Sequence, residues 1–255
     1  LSNPRPPFQV IGERLNPSGK PHLARAIARR DPAPLWEEAR RQVAAGAAAL
    51  DVNAYLPNGD DEGDDLLWAL RAVRHVVDLP LCPNSADPAV LLAALDACPG
   101  PLLINSVSGR RGVTAALLPA IAAHKAAVIL QPRDEAGVPP DAPGRLRLAT
   151  RLVEQAVRAG IPHQAILVDA LAYPHSAGPV ARATTLRTIS LLDAELGVGT
   201  VVGVGNVGYG APERAALVAA FLRDAIAVGL SAAICDPLLP GVMGAIHHPA
   251  SPGGA

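Results

Sequence analysis

Apolar and polar positions along the chain fall into two alternating textures. Short runs rich in Val, Ile and Leu are each followed by a longer, Ala-rich stretch with apolar residues at helical spacing. The runs read FQVIGERL, AALDVNA, LPLCPNS, PLLINSV, AAVILQP, ILVDALA, TVVGVGN and SAAICDP. The stretches between them predict helices over about 34–46, 61–77, 87–97, 112–124, 144–159, 179–195 and 211–228. Strands alternating with helices predict parallel β/α units. Eight such units close into an α/β TIM barrel, (β/α)8, which leaves no edge strand. Boundary residues agree. Asp87 followed by Pro88 reads as an N-cap and first helical residue, and Gly160 and Gly229 read as helix stops. The eighth unit is weak: Pro240 and Gly241 disfavour a long helix, so 240–255 is expected as a loose tail of a single domain spanning 1–255. The segment PRDEAGVPPDAPG, at 132–144, follows the fifth run and is a candidate lid.

Composition narrows this picture. The chain has 255 residues, half of them hydrophobic and only 3% aromatic. A core of Ala, Val and Leu suits helices packed closely on a parallel sheet. The formal net charge is -1 and no basic block is present, which makes nucleic acid a poor candidate partner. No charge-free apolar run of about 18 residues predicts a membrane span. The segment LSNPRPPFQV lacks a signal-peptide pattern. Cys82, Cys98 and Cys235 are scattered and form no C-x-x-C, which fits a reduced, cytoplasmic protein better than a disulfide framework or a zinc site; Cys82 and Cys235 read as small core residues. The histidines fall mostly in helices, loops and the tail, so no metal site is expected; His175 alone, after the sixth run, could reach a barrel mouth.

The chemistry lies at the ends of the apolar runs. Each ends in polar residues: Glu13 and Asn16, Asp51 and Asn53, Asn84, Asn105, Gln131, Asp169, Asn206 and Asp236. One Asn after a strand is ordinarily a turn or a cap. All eight runs sharing the feature describe one pocket, because barrel strand ends converge on one mouth where active sites sit. Amides both donate and accept, and carboxylates accept from N–H groups. Together they suit a flat heterocycle edged with N–H, NH2 and C=O groups. A phosphate would call for Arg, Lys or a Gly-rich nest.

One motif invites another reading. Gly203, Gly205 and Gly208 have the spacing G-x-G-x-x-G of a dinucleotide-binding turn. Such a turn usually opens the first unit of its domain, and this one belongs to the seventh. The acid at the ribose-binding offset, Asp224, falls inside a helical pattern. The glycines instead give Asn206 room and let a ring approach the backbone.

In order and spacing, IGERLNPSGK (11–20), ARRQVAAGAAALDVNA (39–54), LCPNS (81–85), INSVSG (104–109), LVDALAYP (167–174), GVGNVGYGAPER (203–214) and GLSAAICDP (229–237) resemble the pterin-binding methyltransferases. That family includes methyltetrahydrofolate:corrinoid/iron–sulfur protein methyltransferase and the folate module of cobalamin-dependent methionine synthase, and more distantly dihydropteroate synthase. The resemblance implies a pterin-binding barrel, usually homodimeric, with no metal of its own. It implies transfer of a methyl group between nitrogen-5 of tetrahydrofolate and the cobalamin of a separate corrinoid protein. Asp51 and Asn53 would lie at the pocket floor, Asn105 and Asp169 would grip the pterin edge, and Asn206 would reach the methyl-bearing nitrogen, with Asn206 and Asp169 as the catalytic residues. Glu13, Asn16, Asn84, Gln131, Gly205 and Asp236 would complete the binding site. One departure stands out: the family usually has an acid where this chain has Asn84. On that ground Asn84→Asp is expected to tighten tetrahydrofolate binding. Two alternatives stay open, a dihydropteroate synthase-like enzyme and a non-catalytic subunit that binds pterin or a corrinoid protein.

Overall fold

The computed structural model describes residues 7–57, 59 and 61–248. Eight strands form one sheet: β1 (Gln9–Leu15), β2 (Ala49–Val52), β3 (Leu81–Pro83), β4 (Leu103–Ser108), β5 (Ala127–Gln131), β6 (Ile166–Asp169), β7 (Gly199–Gly203) and β8 (Ala232–Cys235). Their order in space is β3-β2-β1-β8-β7-β6-β5-β4, and every ladder is parallel. β3 and β4 meet through two isolated parallel bridges, Leu81 with Leu102 and Asn84 with Asn105. The sheet is therefore a nearly closed barrel, as the pattern predicts.

The helices are α1 (Pro21–Ala28), α2 (Ala33–Ala44), α3 (Glu62–Arg74), α4 (Pro88–Ala97), α5 (Val113–Ala123), α6 (Ala142–Arg158), α7 (Gly178–Leu196), α8 (Arg214–Ala227) and α9 (Val242–His247). Each begins for a legible reason or lacks one. Asp87 caps α4 by accepting from Ala89 N, and Asp61 and Asp141 cap α3 and α6 in the same way. α1 has no capping side chain and was not read from the pattern. α9 corrects the expectation of a loose tail from residue 240. Gly241 adopts a left-handed conformation (φ 83°) that turns the chain, after which Val242 and Ala245 bury themselves. Residues 249–255 of that expected tail lie outside the described residues.

Two apolar clusters follow from the strand period of two. The larger lies between sheet and helices. The smaller fills the barrel and takes a residue from every strand: Ile11, Ala49, Cys82, Leu103, Ile129, Leu167, Val201 and Ile234. Cys82, Cys98 and Cys235 are free and buried. No helix among the described residues is long and apolar enough to cross a membrane.

Candidate active site

Side chains two positions apart on a strand share a face. Counting two residues on from each member of the inner cluster gives Glu13, Asp51, Asn84, Asn105, Gln131, Asp169, Gly203 and Asp236. The inward face is thus apolar for one layer and polar at the C-terminal mouth. Seven of these eight positions were expected site residues. The eighth, Gly203, leaves a gap on β7. The Nδ2 atom of Asn206, from the short turn Val204–Asn206, lies 3.2 Å from where a Cβ on Gly203 would stand. Asn206 therefore reaches the seat that a side chain on β7 would have filled. It is exposed, and its side chain makes no hydrogen bond to any described residue.

The other glycines of that motif also serve close approach, and none of the three has a left-handed φ. A Cβ on Gly205 would stand 2.5 and 2.8 Å from the carboxylate oxygens of Glu13, and one on Gly208 would stand 2.5 Å from Arg214 Cγ. α8 opens only at Arg214, so the glycine turn does not lead straight into a helix N-terminus.

The polar residues form four sets. Asp51 is the buried floor. Asn84 Nδ2 donates to both its oxygens (3.2 and 3.0 Å), and Asn105 Nδ2 donates to Oδ1 (2.9 Å). The Cys82 thiol is also hydrogen-bonded to it. Burial pushes the Asp51 carboxyl up, and these donors pull it part of the way back. Asn53 donates to the Asn84 carbonyl oxygen (3.1 Å) and accepts from Tyr55 N (3.0 Å), locking the two loops together.

Asp169 accepts from Leu171 N (2.8 Å) and from Gln131. Desolvation lifts its carboxyl to about 6, against the lowering effect of those donors and of Arg145. Leu171 is held left-handed (φ 60°). Arg145 of α6 clamps this corner: its Nη1 donates to the carbonyls of Ala170 (2.8 Å) and Leu171 (3.0 Å), and its guanidinium stacks on Tyr173 at 5.0 Å.

Asp236 is spoken for. Arg14 Nη1 donates to its Oδ2 (2.7 Å), and Leu238 N donates to its Oδ1 (2.9 Å). Arg14 is held in turn by the buried Glu38 (2.5 and 3.0 Å). Asn16 accepts from Ser18 N and orders its own turn.

Glu13 differs from the other acids. It accepts no hydrogen bond from any described residue, and its single ion pair is with Arg214 at 3.5 Å. Burial raises its carboxyl to about 7; Arg214 and Lys20 oppose the rise, and Asp51 and Asp236 reinforce it.

Sequence reasoning missed Arg14, Glu38, Gln42 (whose Oε1 accepts from Arg14 N at 2.9 Å), Arg145 and Arg214. A signal existed for three of them. Glu38, Gln42 and Arg145 stand on the buried stripes of α2 and α6, where an apolar residue belongs. His175 is exposed, and its backbone N–H donates to Val207 O, tying the β6 and β7 loops. The segment expected as a lid is tied to its neighbour, since Arg111 N donates to Glu135 and Gly109 N to Arg133 O. No group of three or more His, Cys, Asp or Glu side chains among the described residues could hold a metal ion.

Comparison with known proteins gives concordant results. The family model "Pterin binding enzyme" matches residues 12–236. The chain is 30% identical over 249 residues to the methylcorrinoid:tetrahydrofolate methyltransferase of Eubacterium limosum, covering 93% of this chain and 88% of that protein. It is 29% identical over 238 residues to the methionine synthase of Mycobacterium tuberculosis, covering 88% of this chain but only 20% of that longer protein. Among solved structures, the dihydropteroate synthase of Xanthomonas albilineans in complex with 7,8-dihydropteroate superposes with a TM-score of 0.68 at 21% identity, covering 94% of this chain and 92% of that one. This last likeness concerns the fold.

Proposed function

Because the chain belongs to the pterin binding enzymes, we propose that it moves a methyl group between nitrogen-5 of tetrahydrofolate and the cobalt of a corrinoid carried on a separate protein. The observation that carries this reading is the likeness, over nearly the whole length, to the Eubacterium limosum methyltransferase. The mouth supports it. Asn84, Asn105, Gln131 and Asp169 offer amides and a carboxylate to the edge of a flat ring. Asn206 stands free at the rim to meet the methyl-bearing nitrogen.

The chemistry then rests on orientation and on hydrogen bonding that strengthens as the reaction proceeds. A tertiary amine nitrogen is a poor leaving group until a donor or a proton stabilises its electron pair. An Asn amide supplies such a donor without adding a full charge. The same site serves transfer in either direction.

A dihydropteroate synthase-like activity would need a seat for pyrophosphate. The cations nearest the mouth are engaged elsewhere: Arg14 with Glu38 and Asp236, Lys20 with the Arg14 carbonyl, Arg145 with backbone carbonyls and Arg214 with Glu13. A homodimer and a cytoplasmic setting belong to the same proposal, and sedimentation of the purified chain tests the first.

The first experiment is calorimetric titration with methyltetrahydrofolate, followed by spectroscopic transfer to free cob(I)alamin. We expect micromolar binding and turnover. Asn206→Ala should slow transfer by about 10²–10³-fold while leaving the dissociation constant within a few-fold. Binding without transfer would make the chain a docking subunit, and no binding by a folded sample would remove the pterin reading.

A further inference from the structure

We propose that Glu13 is the catalytic acid of this mouth, giving a proton to the pterin nitrogen as the methyl group leaves and taking it back in the reverse direction. The inference rests on the methyltransferase reading above and extends it to a residue that the resemblance assigned only to binding.

Four acids gather at the strand ends, and three of them are held by hydrogen bonds. Asp51 is enclosed beneath Asn84 and Asn105, which fill both its oxygens. Asp169 already accepts from Leu171 N at Oδ1 and from Gln131. Asp236 is divided between Arg14 and Leu238 N. Each of these accepts hydrogen bonds that a proton would disturb. Of the four, Glu13 alone accepts no hydrogen bond from a described residue; its ion pair with Arg214 is long, at 3.5 Å, and its side chain keeps 23% of its surface open.

Its position is built rather than incidental. Both Glu13 oxygens lie against the α-carbon of Gly205, where any side chain would collide with them, and Gly205 immediately precedes Asn206. Among the described residues, the rim amide that makes no side-chain hydrogen bond and the mouth acid that accepts none are therefore neighbours. Asn206 would orient the ring nitrogen, and Glu13 would supply the proton that an amide cannot give up.

The charged surroundings suit a group that must both hold and release a proton. Arg214 from α8 and Lys20 from the loop before α1 favour the carboxylate; Asp51 from β2 and Asp236 beyond β8 favour the acid; the buried Cys235 of β8 also faces it. Desolvation outweighs all of them and keeps the carboxyl near neutrality, at about 7, where general acids work best. In the step itself the carbon–nitrogen bond breaks and its electron pair stays on nitrogen. The Glu13 proton goes to that pair, and the methyl bonds to the electron pair of the reduced corrinoid. Glu13 is left as a carboxylate facing Arg214. In the opposite direction the carboxylate takes the proton from the ring N–H.

The test measures transfer from methyltetrahydrofolate to free cob(I)alamin between pH 5.5 and 8.5, with calorimetric affinity alongside. The wild-type rate should fall about tenfold per pH unit above 7. Glu13→Gln should be slower by about 10²-fold at pH 6.5 and flat across that limb, with an affinity within threefold of wild type. Arg214→Gln removes a charge that favours the carboxylate, so the limb should move to higher pH. This second variant decides the question if Glu13→Gln does not fold. A Glu13→Gln enzyme with the wild-type rate and limb, a loss explained entirely by weaker pterin binding, or a limb unmoved by Arg214→Gln would each overturn the proposal. Wild-type protein that neither binds the pterin nor transfers methyl would overturn the underlying reading as well, a result distinct from transfer that ignores Glu13.

Discussion

Asn84 shows what a single residue's surroundings add to its identity. Read alone, it is an amide where the resemblance leads one to expect an acid, and on that reading restoring the acid should strengthen binding. In the folded chain its Nδ2 lies 3.0 and 3.2 Å from the two oxygens of Asp51. A carboxylate there would meet another carboxylate at the floor, with burial and like charge both raising the shared titration. A cost in stability therefore accompanies any gain in affinity. Asn84→Asp should cost about 1–3 kcal/mol of stability at pH 7.5. The folded pair would titrate above the unfolded value, so the cost should vanish as pH falls toward 4. Thermal unfolding at pH 5 and pH 7.5 checks this, and equal losses at the two values would remove the carboxylate pair from the argument. The amide was legible in the sequence. Its orientation was not, because that depends on Asp51, 33 residues away.

At the scale of elements, legibility followed burial. The eight strands announced themselves because both faces are enclosed, one by the helices and one by the barrel interior, so each is a short apolar run. The seven helices read from the pattern carry apolar stripes. α1 has an apolar stripe in Leu23, Ala26 and Ile27, but with eight residues and no cap it is too short to stand out. The side chains of α6 and α2 that support the mouth from behind hid as polar intruders on apolar stripes. Arg145 is the clearest, fully buried with Leu148, Ala149 and Leu152 around it on α6. It joins that helix to the end of β6 through the Ala170 and Leu171 carbonyls, and so sets the loop whose N–H holds Asp169. Arg145→Met keeps the volume but orphans those acceptors, at a cost of about 2–4 kcal/mol. Denaturant unfolding should show that loss. Pterin affinity should fall in the variant that remains folded, since Asp169 loses both its positioned loop and a nearby positive charge. Unchanged affinity would confine Arg145 to a structural role.

For the whole molecule, the barrel's geometry gathers carboxyls at one end and withdraws water from them. Glu13 rises from its ordinary 4.5 to about 7 and Asp169 from 3.8 to about 6, and Asp51 is pushed up as well, each chiefly by desolvation. The folded chain therefore binds these protons more tightly than the unfolded chain. Where that holds, between about pH 4 and 7, the contribution of these carboxyls to stability declines as pH rises. Glu38 works the other way: Arg14 lowers its carboxyl, and that contribution is lost only as pH falls below the ordinary carboxylate range. The protein should then be most stable near pH 5. By pH 7.5 Glu13 and Asp169 should each have withdrawn on the order of 3 kcal/mol at most. Unfolding midpoints measured from pH 4.5 to 8 test this, and the double variant Glu13→Gln with Asp169→Asn should flatten the profile over that range. A stability maximum at pH 7–8 in the unaltered chain would mean that water reaches these acids. The mouth is thus the part of the barrel that works against its own folding, which is the cost of keeping one carboxyl able to exchange a proton at neutral pH.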